Sequence, residues 1–377
     1  MTTFITRLDP TGDGPRLAVK DLIDVAGVPT TAGCRAVERT ATPAATDALC
    51  LAGARAAGAR IVGKTNLHEL AALPIGTNPW FGTPVNPVDP ALIPGGSSSG
   101  SAVAVAMDEA DVAYGSDTGG SVRIPSACCG TAGLKTTHGR VSLGGVFPLA
   151  PSLDTVGPMA RGVDGLVLGM QLLEPGFAVP PAPATTIGRL RTSSDPRIEA
   201  AIDAALRDAG FTFVDLDWDG LAAGGDLFTA IYFSEVWACD HELVEQHPDG
   251  VGEDIAGFVA MAPAFAAGEP AAREQLQSWR ASLDALFDQV ELLALPTLPV
   301  FPPRLDEVTA ETLLTTVIDL TRHVSPFNAA GVPGTAQPVR TADSPVPASL
   351  QLVGPRGGEE LLLATAHVVE SAAGAGR

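Results

Sequence analysis

Short apolar runs alternate with Ala-rich stretches of helical period through the first half of the chain, and this alternation predicts strands and helices in turn. Arg16-Leu17-Ala18-Val19-Lys20 reads as a strand, and residues 46–57 as a helix beginning near Thr46 or Asp47. Arg60-Ile61-Val62-Gly63 returns as a buried strand, 101–109 as a second helix, and Asp111-Val112-Ala113-Tyr114-Gly115 as a strand directly after it. Further on, 196–210 and 271–290 have the stripe of amphipathic helices, and Leu292-Leu293-Ala294-Leu295-Pro296-Thr297 reads as a core strand running into a loop. Such a pattern predicts an α/β layer architecture. The Pro/Ala stretch 179–184 is the best candidate boundary, yet no repeat or charge run divides the chain, and one domain with a more variable middle is expected.

Composition narrows the function classes. Of 377 residues, 46% are hydrophobic and 18% charged, enough to fill a sizeable core and too few charges for a disordered chain. Lys and Arg number 23 against 43 Asp and Glu, a formal charge of −20, which disfavours nucleic acid and anionic membranes as partners. The N-terminal residues lack a basic segment followed by an apolar core, and the most apolar stretch, 163–179, is broken by Asp164, Glu174 and Pro175. No signal peptide or membrane span is therefore expected. The five cysteines have no metal-ligand spacing and read as reduced thiols of a cytoplasmic protein.

Three segments carry chemistry: Val19-Lys20-Asp21-Leu22-Ile23-Asp24-Val25, Pro94-Gly95-Gly96-Ser97-Ser98-Ser99-Gly100-Ser101-Ala102, and Gly115-Ser116-Asp117-Thr118-Gly119-Gly120-Ser121-Val122-Arg123-Ile124-Pro125. Taken singly, each has an ordinary explanation. A lone lysine is usually a solvated charge, a Gly/Ser run a linker, and Gly-Gly a turn. Here the Gly/Ser run opens directly into apolar Ala102-Val103-Ala104-Val105-Ala106, so Ser98 or Ser99 could instead cap a helix.

Together and in this order, the three segments resemble the amidase signature family, the Ser-cis-Ser-Lys serine amidohydrolases. The 24-residue step from Ser97 to Ser121 is the spacing that family uses. Flanking segments match too: 63–70 and 76–84, which resemble its pocket-lining stretches, then 133–140, 152–161, 326–333 and 349–354. The resemblance implies a three-layer α/β/α sandwich around a mixed β-sheet. It also implies a single amidase domain over 1–377, with a core at about 15–165 and 290–370 and a substrate-shaping region at about 180–285.

By the same resemblance, Ser121 is the nucleophile, Ser97 relays its proton, and Lys20 is the base. The peptide between Gly96 and Ser97 is expected to be cis. Lys20 can act only when neutral, which requires burial to outweigh the acidic charge of the whole chain. If the strand continues to Leu22, Lys20 shares a face with Ala18 and Leu22 while Asp21 points away, the pattern of a dry pocket. Backbone N–H groups of Thr118, Gly119, Gly120 and Ser121 can converge as an oxyanion hole. Gly96, Ser98, Asp117 and Arg123 are expected to support the site, the last two by bracing the turn.

Other arrangements fit less well. No Gly-x-Ser-x-Gly elbow accompanies the six histidines. His241 and His247 near Cys239 fit no common metal site and are expected as exposed residues of a 235–246 helix. Cys128 and Cys129 follow the nucleophile segment, but their apolar neighbours point to inert, buried thiols. No metal or organic cofactor is expected, and the partners are a small-molecule amide and water, with a homodimer possible. An acyl transferase or esterase using the same acyl-enzyme is the alternative activity, ahead of a non-catalytic binding subunit. Lys20 lies nearer the start than in typical members, and the middle is short. Both features argue against the amidotransferase subunit that acts on tRNA-borne substrates, and the short middle predicts an open or small acyl site.

Overall fold

The computed structural model describes residues 2–342 and 344–375. Its frame is one mixed sheet of eleven strands: β1 (Phe4–Arg7), β2 (Arg16–Lys20), β3 (Arg60–Thr65), β4 (Val112–Ser116), β5 (Ala132–Lys135), β6 (Val156–Ala160), β7 (Ile187–Leu190), β8 (Phe213–Leu216), β9 (Leu292–Pro296), β10 (Gly334–Val339) and β11 (Ala348–Val353). They lie in the order β1-β3-β2-β4-β6-β5-β10-β11-β9-β7-β8. Parallel pairs β3–β2–β4 and β9–β7–β8 flank a centre of antiparallel pairs.

Successive residues of a strand face opposite sides of the sheet, so a continuous apolar run must be covered on both faces. In β9, Leu292 and Ala294 pack with the helices Val163–Leu173, Pro196–Asp208 and Glu359–Ala375. Leu293 and Leu295 face the opposite layer, with Gly220–Gln246, Glu253–Ala266 and Glu269–Phe287. The result is the expected three-layer α/β/α arrangement. The 179–184 stretch is not a break in it. Ala184 N–H donates to Thr365 Oγ1 at 2.9 Å as the chain enters β7 of the same sheet.

Several boundaries move for identifiable reasons. The helix expected over 46–57 starts later, as Leu49–Leu51 followed by Ala52–Ala56. The Asp47 carboxylate is spent on Ala26 N–H and Arg55, both at 2.8 Å, and caps nothing. The next helix is Ser99–Ala106, ending before Asp108 at φ +60°. The strand after it is shifted by one residue, to Val112–Ser116, and the helix expected over 235–246 is the C-terminal part of Gly220–Gln246. β2 stops at Lys20, where the N–H groups of Leu22 and Ile23 both turn back to its carbonyl, at 2.7 and 2.9 Å. Lys20 therefore shares a strand face with Ala18 but not with Leu22. Among the described residues no single helix is long and apolar enough to cross a membrane. Glu253–Ala266 and Glu269–Phe287 pass that test only as a pair bent by 74°.

Candidate active site

Parallel pairing sets Val19 opposite Tyr114, so β2 and β4 end side by side with Lys20 and Ser116 at their tips. The helix Ser99–Ala106 packs on the face carrying Ala18 and Ala113, which lays its preceding loop across those tips. There the Gly96–Ser97 peptide is cis, and Lys20 Nζ lies 2.7 Å from Ser97 Oγ and 2.9 Å from Ser116 Oγ. Ser98 does not cap the helix. Its N–H reaches Ser121 O and its hydroxyl Ser116 O, each at 3.2 Å, joining the loop to two points of the segment that carries Ser121.

Lys20 is fully buried. Burial lowers its pKa from 10.5 to about 7, against the opposing pull of Asp117 and Asp154. Local desolvation thus outweighs the acidic surroundings, as a lysine base requires. No hydrogen bond joins Ser97 to Ser121 among the described residues. The sequence assigns Ser116 no role, although it stands in the same segment as Ser121 and its place at the tip of a strand beside β2 is the signal.

The turn from Asp117 to Arg123 is built around a buried ion pair. The five guanidinium hydrogens of Arg123 all find acceptors. Nε and Nη2 reach the Asp117 carboxylate at 3.0 Å, Nη2 also reaches Asn328 Oδ1 at 2.6 Å, and Nη1 reaches Val324 O at 3.1 Å and Gln351 Oε1 at 2.7 Å. Burial alone would raise the Asp117 pKa, but Arg123, Lys135 and Asn328 hold it well below the usual carboxylate range. Asn328 and Gln351 lie in the matching segments 326–333 and 349–354, yet only the tertiary structure brings them here.

Asp117 also takes the Gly120 N–H, at 2.8 Å. Gly120 is therefore engaged inward and is not a free oxyanion donor, contrary to its expected role. Its φ of +118° and the 2.4 Å that a Cβ would keep from Val324 Cγ2 show why the position suits glycine. The N–H groups of Thr118, Gly119 and Ser121 donate to no described residue, while the Thr118 hydroxyl is held by Asp154 at 2.6 Å.

Thr118, Gly119 and Ser121 open onto a cavity of 510 Å³. Its walls include Leu73, Leu149, Phe228, Tyr232 and Phe233, so the middle region of the chain does shape the site, through Gly220–Gln246. At this volume the cavity is of ordinary ligand size rather than small. Residues 76–84 line a neighbouring cavity of 1080 Å³, whereas 63–70 line neither. That segment is tied inward instead: Asn66 Nδ2 donates to Thr2 O at 2.9 Å and to Gly82 O at 2.6 Å.

The remaining candidates stay apart from this chemistry. Burial pushes the Cys128 and Cys129 thiols well above their ordinary value, as inert cysteines require. His241 and His247 are half-buried rather than exposed, and His241 Nδ1 lies 2.6 Å from Trp237 O. No group of three or more His, Cys, Asp or Glu side chains converges as a metal site among the described residues.

Asp240 sits unpaired beneath the cavity wall, 1% exposed, with no hydrogen-bond partner for either carboxylate oxygen. Burial and nearby Asp154 push its pKa from 3.8 up to about 7. Between those two values the folded chain holds a proton that the unfolded chain has released, so stability falls as pH rises through that window. Asp240→Asn is expected to stabilise the fold by about 2 kcal/mol at pH 8 and by almost nothing at pH 4. Urea denaturation at the two pH values checks this, and an equal effect at both would remove ionisation as the cause.

The mixed eleven-stranded sheet, with a buried lysine–serine pair beside a glycine-rich turn, defines an α/β enzyme of the amidase type. The amidase family model matches residues 14–175 and 184–363, and the chain belongs to that family. It is an amide-cleaving enzyme. One subunit of the glutamyl-tRNA(Gln) amidotransferase of Halobacterium salinarum is 32% identical, with 98% of each chain covered. The 2-amino-5-chloromuconic acid deaminase of Comamonas testosteroni is 34% identical over 96% of this chain and 82% of its own. The structure of 6-aminohexanoate cyclic dimer hydrolase superposes with a TM-score of 0.86 at 25% identity, over 98% and 89% of the two chains. The amidotransferase subunit, expected to be a poor match, is instead matched along nearly its whole length, although the alignment runs over 420 positions against the 377 residues of this chain.

Proposed function

We propose that the chain hydrolyses a carboxamide C–N bond through an acyl-Ser121 intermediate. The observation that carries this reading is the 2.7 Å contact between Ser97 Oγ and a fully buried Lys20 whose pKa burial lowers to about 7. Ser121 Oγ gives its proton to Ser97, whose own proton passes to the lone pair of Lys20, and Oγ adds to the carbonyl carbon. The N–H groups of Thr118, Gly119 and Ser121 receive the developing oxyanion. Lys20 returns the proton through Ser97 to the leaving nitrogen, the C–N bond breaks, and water repeats the sequence to free the acid. The relay needs Ser97 and Ser121 to meet in the substrate complex, where catalytic hydrogen bonds commonly tighten.

We take the substrate to be a small molecule and the setting to be the cytoplasm, a compartment that suits the five free thiols. Transfer of the acyl group to an acceptor other than water is the second reading, favoured by the amidotransferase relative.

A fluorophosphonate probe tests the nucleophile. Mass spectrometry of the labelled enzyme is expected to place the adduct on Ser121, with none formed on Ser121→Ala. An adduct elsewhere, or none on the native enzyme, sinks the assignment. Added hydroxylamine separates the two readings, because a transferase diverts its acyl group to hydroxamate far more readily than a hydrolase does.

A further inference from the structure

We propose that the 510 Å³ cavity takes amides whose acyl group ends in a carboxylate, and that Arg322, with Ser325 beside it, receives that carboxylate. The inference rests on the reading of Ser121 as nucleophile and adds the class of substrate it attacks.

Arg322 and Ser325 line the same cavity as Thr118, Gly119 and Ser121, at the junction of the helices Leu313–Thr321 and Ser325–Ala330. That junction is pinned to the turn. Val324 O accepts from Arg123 Nη1 at 3.1 Å, and a Cβ at Gly120 would lie 2.4 Å from Val324 Cγ2. Leu320 and Val324 also pack with Ile124 in one apolar cluster. The cation thus has a set place relative to Ser121. Much of the remaining wall is aromatic, with Phe228 stacked on Tyr232 at a centroid distance of 5.1 Å. An acyl group whose carbonyl oxygen reaches the N–H groups of the turn lays its apolar body along these rings, and a carboxylate at its far end meets Arg322.

Arg322 has donors to spare. Nη2 donates to Ser193 O at 2.8 Å, which orients the guanidinium. Nε is shielded from water yet has no hydrogen-bond partner, and Nη1 donates to no described residue. Asp319 stands 3.5 Å from Nε, with both side chains more than a third exposed, and a pair so loose and so wet contributes little. The Ser325 hydroxyl also donates to no described residue, although its side chain is buried. Other hydroxyls of the wall are engaged: Tyr232 with Ala72 O at 2.6 Å, Thr321 with Val317 O at 2.7 Å and Thr229 with Gly225 O at 2.8 Å. Arg322 is the one cation among the described lining residues, and the one anion, Asp226, is exposed and so screened by solvent. A guanidinium fork and a hydroxyl three positions apart are the donors that a carboxylate needs on leaving water.

The test uses pairs of primary amides that differ only in a terminal carboxylate against a methyl group: adipamate against hexanamide, and 4-carbamoylbenzoate against 4-methylbenzamide. Ammonia is the leaving group throughout. Each carboxylate is expected to exceed its partner in kcat/KM by at least about tenfold. In Arg322→Met the adipamate-to-hexanamide ratio is expected to fall at least about tenfold, mainly through the KM for adipamate, with Arg322→Lys restoring part of it. Arg322→Glu is expected to reverse the preference, taking 6-aminohexanamide ahead of adipamate, a change that a merely structural arginine would not produce. Thermal melting verifies that each variant is folded. A second route needs no variant: adipate is expected to protect native Ser121 from the fluorophosphonate at about one-tenth of the concentration at which hexanoate does. A native enzyme without preference for the carboxylate members, or equal protection by adipate and hexanoate, overturns the proposal. An unchanged ratio in folded Arg322→Met overturns the role of Arg322. Failure of the underlying reading looks different: the fluorophosphonate leaves Ser121 unmodified and no amide of the panel releases ammonia, which removes both.

Discussion

Replacing Lys20 by methionine is expected to lower kcat/KM by at least about 10³-fold while leaving the protein folded. The two side chains have similar length, and methionine suits the dry surroundings that lysine occupies at a cost. What disappears is the lone pair proposed to take the Ser97 proton across 2.7 Å. Because burial sets the Lys20 pKa at about 7, native activity should climb nearly tenfold per pH unit below that value and level off above it. Stability follows the same group. Unfolded lysine keeps its proton to about 10.5, whereas folded Lys20 releases it above about 7, so its contribution to stability rises with pH between those values. Below pH 7 the burial penalty is complete, and Lys20→Met removes this dependence. Rate profiles and urea melts from pH 5 to 9 check both parts. A profile flat across that range, or a methionine variant of native activity, would exclude Lys20 as the base.

Arg123→Met carries the largest expected cost in stability, about 3–5 kcal/mol, because it leaves the buried Asp117 carboxylate without its cation. The loss reaches beyond one ion pair. Asn328 and Gln351 lose the group that holds the 325–330 helix and β11 to the turn, and the N–H groups proposed to receive the oxyanion sit on that turn. Displacement of the turn by about 1 Å is enough to lower turnover by roughly 10². Arg123→Lys should not rescue either property, since an ammonium offers three donors where five acceptors wait. Guanidinium denaturation reads the stability change. An unfolding free energy within about 1 kcal/mol of native would mean that the turn is held by other contacts.

Several features were legible in the sequence because they are written in neighbouring residues. A strand ending in lysine, a Gly/Ser loop opening an apolar helix, and a Gly-Gly-Ser turn after another strand are each local patterns. Their order and the 24-residue step identified the family. Burial was harder to read. Lys20 and Lys135 both end short apolar strands, both are fully buried, and burial lowers both to about 7. Only their neighbours separate them: Lys20 meets two serine hydroxyls, and Lys135 donates to Thr136 O at 3.0 Å.

By itself, the sequence determined the α/β layering, the family, and the three segments that carry Lys20, Ser97 and Ser121. The tertiary structure alone decided the rest. It set Ser116 beside Lys20, turned the Gly120 N–H inward to Asp117, brought Asn328 and Gln351 to Arg123 from more than 200 residues away, and laid Phe228 on the turn that carries Gly119 and Ser121. The physical reason is the range of the interactions. Strand parity, caps and turns depend on residues within a few positions of one another. Partners joined across an eleven-stranded sheet depend on strand order and helix packing, which no local pattern spells out.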